Sequence, residues 1–241
     1  MKMNHIITVI IIVLFSMDIC PQNLAIVRLK GTYNFFAMSD ETAMQNDLLK
    51  QVKNQGIPAV ATESFPPYYG LQLQLVYIIK SNSGKEYHLG FFFDQASTGG
   101  RIDYKDYSGE IKVDQLFKAF SFGPTGELTN SMGDYFNCTL GLSIPLIFGS
   151  FEVKNESRIG NNINTQQVDF SSFTVGIEPG ITFSYLLQNI SIGINLDWLI
   201  AFSSSYTLDN NSDVKLLNNA GDPVTMGMNG PRFGLTLGYS F

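Results

Sequence analysis

The side chains that most often do chemistry are scarce in this chain. Its 241 residues hold two histidines, His5 and His88, and two cysteines, Cys20 and Cys138. No G-x-S-x-G, H-E-x-x-H or C-x-x-C occurs, so neither an activated nucleophile nor a metal-ligand set is spelled out. No catalytic residue, metal or cofactor is expected. The chemistry that spacing does suggest is carboxylate chemistry. If Leu187 and Gln188 form a two-residue turn, Glu178 lies directly opposite Asp197 on a polar face, about 5 Å away. Such a pair is either an acid/base couple or needs a basic partner or a shared proton. The alternating faces offer Arg28, Lys30, Lys118 and Arg232 as cations to meet Asp94, Asp114, Glu178 and Asp197. The expectation is a packed polar network rather than an ion path.

Those residues need strands to position them. In Gly230 to Phe241, Phe233, Leu235, Leu237, Tyr239 and Phe241 share one parity, while Arg232, Gly234, Thr236, Gly238 and Ser240 share the other. The stretch has the length that crosses a bilayer as a tilted strand. The same alternation marks strands at Ala25–Ala37, Tyr69–Lys80, Glu86–Ala96, Glu110–Phe122, from Tyr135 to Phe151, Val168–Tyr185 and Ile190–Ser203. In Glu110–Phe122, Ile111, Val113, Phe117 and Ala119 read as outward and Lys112, Asp114 and Lys118 as inward, with a bulge near Gln115. Pro145 predicts a second irregularity. Between Ser39 and Pro67, Met44, Leu48, Leu49 and Val52 recur at helical spacing, and Gly56 and Pro58 supply a stop. Residues 97–109, 123–133, 152–167 and 204–229 read as loops. Long connections follow every odd strand and short ones every even strand, as in a barrel threaded from one side of a membrane. Two aromatic girdles are expected: Tyr77, Tyr87, Phe122, Phe136, Tyr185, Tyr239 and Phe241 at the periplasmic rim, and Tyr33, Tyr69, Phe93, Phe202 and Phe233 at the outer rim.

The expected fold is all-β: an eight-stranded antiparallel up-and-down transmembrane β-barrel over residues 25–241, with short periplasmic turns and long outer loops. Hydrophobic content of 44% and mean hydropathy near zero suit alternating strands and exclude a helical membrane protein. Residues 1–22 read as a signal peptide, with Lys2 and His5 ahead of an apolar Ile6–Phe15 block, and cleavage falls between Ser16 and Ala25. Cys20 raises a lipoprotein alternative, but Met17, Asp18 and Ile19 precede it poorly. Cys138 lies on a membrane face, so no structural disulfide is expected. A formal charge of −6 without a basic run argues against nucleic acid. A soluble lipocalin-like barrel also alternates, with its apolar face turned inward. Residue size decides against it: the polar faces of the last three strands are mostly Gly, Ser, Thr and Asn, which fit a crowded lumen, and the apolar faces are bulky.

With Tyr239 and Phe241 closing the final strand, the chain resembles the small outer-membrane barrels of the OmpA-transmembrane and OmpX type, the porin-family or outer-membrane β-barrel-domain proteins. The pattern covers roughly residues 25 to 241 and departs from the usual ending in having Thr236 where glycine is common. The Asn-rich, acidic style resembles Bacteroidetes proteins. The resemblance implies export to the outer membrane, a final-strand signal at Tyr239 and Phe241 read by the barrel-assembly machinery, outer-membrane lipid as surroundings, and a monomer. The expected role is structural or surface-interacting, through loops such as Glu41–Gln55 whose ligand is unknown, with at most a narrow pore. The alternatives are a lipid-modifying outer-membrane enzyme and a soluble periplasmic lipocalin-like carrier.

Overall fold

The computed structural model describes residues 25–80, 85–107 and 109–241; the expected signal peptide and Cys20 lie outside them. Among the described residues one antiparallel sheet holds twelve strands. They are β1 (Ala25–Asn34), β2 (Val60–Ser64), β3 (Tyr68–Lys80), β4 (Lys85–Lys105), β5 (Glu110–Ser131), β6 (Phe136–Ser143), β7 (Leu146–Ile159), β8 (Asn162–Leu187), β9 (Ile190–Ala201), β10 (Thr207–Leu208), β11 (Asn211–Lys215) and β12 (Gly230–Ser240). The sheet closes into a ring. β12 pairs with β1, β1 with β3, β3 with β4 and β4 with β5. β6 and β7 each bridge β5 to β8, β8 pairs with β9, and β9 returns to β12. No described helix is long and apolar enough to cross a membrane, which says nothing of strands.

Period-two alternation sets the faces. Along β12, Phe233, Leu235, Leu237 and Tyr239 point outward and are exposed, while Arg232, Thr236 and Gly238 are buried inside. Pro145 interrupts the ladder between β6 and β7 without shifting it. Ser143 and Leu146 keep one register against Thr125 and Phe122, and Ile144 still donates to the Pro124 carbonyl at 3.0 Å. The missing proline N–H costs one bond and no register.

Three expectations about strands are corrected. β5 has no bulge near Gln115: its register with β4 is unbroken, and the faces are the reverse of the expected ones. Val113, Phe117 and Ala119 are buried inside; Lys118 and Phe120 are exposed outside. The expectation failed because the interior is apolar at this end, so apolar residues occupy both faces. Second, residues 97–105, 123–131 and 152–159 are strand rather than loop, and β8 begins at Asn162. Residues 97–105 and 152–159 lie beyond the apolar band, where a strand carries polar residues on both faces and reads as loop by composition; 123–131 lies within the band and reads as a turn because of Gly123, Pro124 and Gly126. Third, Phe122 belongs to the upper aromatics. It pairs with Phe93 and stacks on Phe148 at 5.9 Å, and Phe148 meets Phe173 at 4.9 Å.

The one helix among the described residues, α1 (Ser39–Asn54), lies across the upper end of the ring. Asp40 in its first turn and Lys53 in its last complement the helix dipole. Gly56, at φ +84°, turns the chain out of it. Met44 joins a buried cluster with Phe36, Met38, Phe65, Phe117, Ile147, Phe151, Leu199, Tyr206, Val224, Met226 and Met228, while Leu48, Leu49 and Val52 pack on Ala59, Ile102 and Val113. The stripe is buried against the barrel's own rim rather than left for a partner.

Candidate functional site

The interior holds two ion clusters at different heights. In the lower one, β1 carries Arg28, β3 Gln74, β4 His88 and β5 Glu127, all on inward parity. Arg28 Nη1 donates to Glu127 Oε2 in a close ion pair and to Gln74 Oε1 at 3.3 Å; Gln74 Nε2 donates to Glu127 Oε1 at 2.7 Å. His88, 2% exposed, holds Nδ1 at 3.1 Å from Glu127 Oε2 and Nε2 at 3.5 Å from Glu86.

Arg232, 1% exposed, centres the upper cluster. Its Nη2 donates to both Asp94 oxygens at 2.9 Å, its Nη1 to Glu178 at 3.0 and 3.2 Å, and its Nε to Asn34 Oδ1 at 2.8 Å. A planar fork is suited to two carboxylates at once. Lys30 Nζ stands 3.9 Å from Asp197 Oδ2, and Asn195 also donates to that carboxylate. Glu178 does not face Asp197 directly. The turn is Gln188–Asn189, with Leu187 paired to Ile190, and this places Gly180 opposite Asp197. A Cβ on Gly180 would run into the Asp197 carboxylate, so the glycine makes its room.

Of the expected network, Arg28, Lys30, Asp94, Glu178, Asp197 and Arg232 are inside, in two groups rather than one. Lys118 and Asp114 are not. Lys118 is exposed on the outer face, and Asp114 pairs with Arg101 on that face. Both follow from the reversed parity of β5. Glu127 was missed because G-P-T-G-E-L-T-N reads as a turn; the alternation of Thr125, Glu127 and Thr129 was the signal available. Between the clusters lies a cavity of about 10 Å³, lined by Lys30, Glu127, Glu178 and Asp197 among others, room for about one water.

No family model and no curated protein matches this sequence. Among solved structures the chain is similar to Ail, the attachment invasion locus protein of Yersinia pestis, at 12% identity, covering 90% of this chain and 97% of that one with a TM-score of 0.34. The same protein in complex with the heparin analogue sucrose octasulfate gives 13%, 90%, 97% and 0.33. The transport unit of the autotransporter AIDA-I from Escherichia coli gives 11%, 95%, 94% and 0.29.

Above the Arg232 cluster, α1 and residues 202–229 close the ring. Asp40 accepts hydrogen bonds from the Thr225 N–H and hydroxyl, the former at 3.0 Å. Glu41 Oε1 accepts from Tyr206 Oη at 2.8 Å and from the Gly227 N–H at 3.0 Å. Burial pushes the Glu41 carboxyl up from its ordinary value, and burial beside Glu41 pushes the Tyr206 hydroxyl well up. Near the chain's end, Tyr239 is exposed with its ring 4.8 Å from that of Phe241, whose N–H bonds the Ala25 carbonyl. The final strand therefore makes the closing seam with the first described one.

Proposed function

We propose that this chain is a bacterial outer-membrane β-barrel of eight up-and-down staves, with β6 and β7 forming one stave. Its lumen is filled, its termini face the periplasm, and its role is structural or surface-interacting. One observation carries the reading: the closed ring wears its apolar residues outside and its ions inside. Leu71, Leu89, Phe91, Phe148, Phe173, Ile194, Trp198, Leu235 and Leu237 are exposed, whereas Arg232, His88, Asp94, Glu178 and Asp197 are buried. Water favours the opposite arrangement, and a lipid bilayer favours this one. The same sidedness disfavours the soluble carrier. The short turns end the ring at one side and α1, the long hairpins and 202–229 crown the other, which suits periplasmic and outer ends respectively.

Two stacked closures support a scaffold rather than a channel: the ion clusters block the lumen and the apolar cap covers it. The projecting hairpins, not the lumen, then meet partners, and no enzymatic role is assigned. The test is reconstitution into planar bilayers with labelled lipid A and phospholipid supplied. Membrane insertion without discrete conductance steps and without lipid modification is expected. Steady channel openings contradict the filled lumen; a changed lipid contradicts the scaffold role.

A further inference from the structure

The cap is fastened at its centre by a carboxylate that no cation neutralises. Glu41 is fully buried, and its Oε2 has no hydrogen-bond partner. The groups facing it come from every element around it. Asp40 on α1 adds a second negative charge and is bound to Thr225; residues 202–229 bring the Tyr206 hydroxyl and the Gly227 N–H; Tyr68 at the start of β3 brings an unpartnered hydroxyl. The Arg232 guanidinium stands 5.8 Å from the Phe36 ring and is committed to Asp94 and Glu178. No described cation pairs with Glu41. A carboxylate without a cation is far costlier to bury charged than neutral.

The parts that Glu41 joins are the parts that are not barrel wall. Four methionines, Met38, Met44, Met226 and Met228, fill the space beneath them. Methionine is the apolar side chain that repacks most readily. Buried polar atoms without partners also gather at this seam, on Asn34, Glu41, Gln45, Tyr68 and Gln115. Close fit is nonetheless required where Gly227 passes α1, since a Cβ there would stand 2.4 Å from the Ala37 carbonyl and 2.9 Å from Glu41 Oε2.

We propose that α1 and residues 204–228 form a lid over the outer mouth, closed while Glu41 holds a proton and released when it ionises. The sign follows from linkage. The closed form binds the proton more tightly than the open form, so closure is strongest below the ordinary carboxylate value and weakens as pH rises through the raised one. Opening bares the apolar wall of Phe117, Ile147, Phe151 and Leu199 to the exterior. The Arg232 cluster remains as a floor, so the surface changes and no pore opens.

Hydrogen exchange tests this on the full chain in lipid discs, with rates corrected for intrinsic pH dependence, from about pH 5 to about pH 8. The reporters are the amides that bridge the two halves, the Gly227 amide on Glu41 and the Thr225 amide on Asp40. Their protection is expected to fall as pH rises while β9 and β12 amides keep theirs, and Glu41→Gln is expected to hold protection throughout. Constant protection in the natural sequence overturns the proposal, as does a loss that Glu41→Gln shares. Tyr206→Phe is the second variant, needed if Glu41→Gln does not fold. It removes a donor from the ionised carboxylate and raises the closed-form value further, so the fall in protection is expected to be deeper and to extend to higher pH; an unchanged or smaller fall overturns the lid.

Discussion

Arg232 shows what a single side chain does in a sealed lumen. It satisfies Asp94 and Glu178 together, so replacing it by Met leaves two buried carboxylates without their cation. A loss of about 3–5 kcal/mol is expected, read from the urea midpoint of the folded band. Glu178→Gln is a different case. The upper cluster sets Asp94, Glu178 and Asp197 against Arg232 and Lys30, and the variant removes the excess negative charge while Arg232 keeps both bonds to Asp94. Stability is expected to stay level or rise, and a loss approaching that of Arg232→Met would contradict the two-cluster account. On the other face, Leu235 is 68% exposed in the middle of β12. Leu235→Arg is expected to cost ~2–4 kcal/mol in a bilayer and far less if water covers that face.

At the scale of elements, the paired hairpins above the aromatic band carry their own electrostatic logic. Arg101, Asp114 and Lys154 are consecutive cross-strand neighbours on β4, β5 and β7; so are Asp103, Lys112 and Glu156, and then Lys105, Glu110 and Arg158. Signs alternate both across and along the strands, and Lys112 also lies 3.7 Å from Glu110. Opposite charges across a ladder each contribute a fraction of a kcal/mol, and like charges repel. Lys112→Glu sets a carboxylate among four others, Asp103 and Glu156 across the ladder and Glu110 and Asp114 along the strand. The hairpin amides are expected to exchange faster by about 0.5–1 kcal/mol at low salt, with much of the difference gone at high salt. Equal loss at both salt levels would point to packing instead.

The same hairpins show where sequence reading stops. β9 and β12 were legible because one face is uniformly bulky and the other mostly small or polar, and β3 because Gln72 and Gln74 mark its inner face despite Val76 and Ile78; their outward residues are the expected ones. β4, β5, β7 and β8 run past the band, where polar residues fill both faces and alternation vanishes. α1 was legible from Met44, Leu48 and Val52, but its berth was not, since that berth is assembled from β4, β5, β7 and residues 202–229. Phe117 and Ala119 misled for the same reason: they face an apolar interior that exists only because the cap covers it. The lower cluster needed Glu127, hidden behind Gly123, Pro124 and Gly126.

For the whole molecule, the central claim is that a closed ring turns its apolar side chains to lipid and its ions inward. Among the described strands, the seam that joins the ends of the ring runs from Asn34↔Arg232 to Ile26↔Ser240 between β1 and β12, so closure depends on both ends of the described sheet. The measurement that tests it most directly is electrophoretic mobility of the detergent-extracted protein with and without boiling. A ring of continuous antiparallel ladders should survive detergent unheated and run as a compact band, then shift on boiling. Recovery from the membrane fraction with such a shift is the expected result. A protein that stays in solution without detergent and shows no shift would contradict the account, because the exposed faces of β3, β9 and β12 would then have to be covered by something other than lipid.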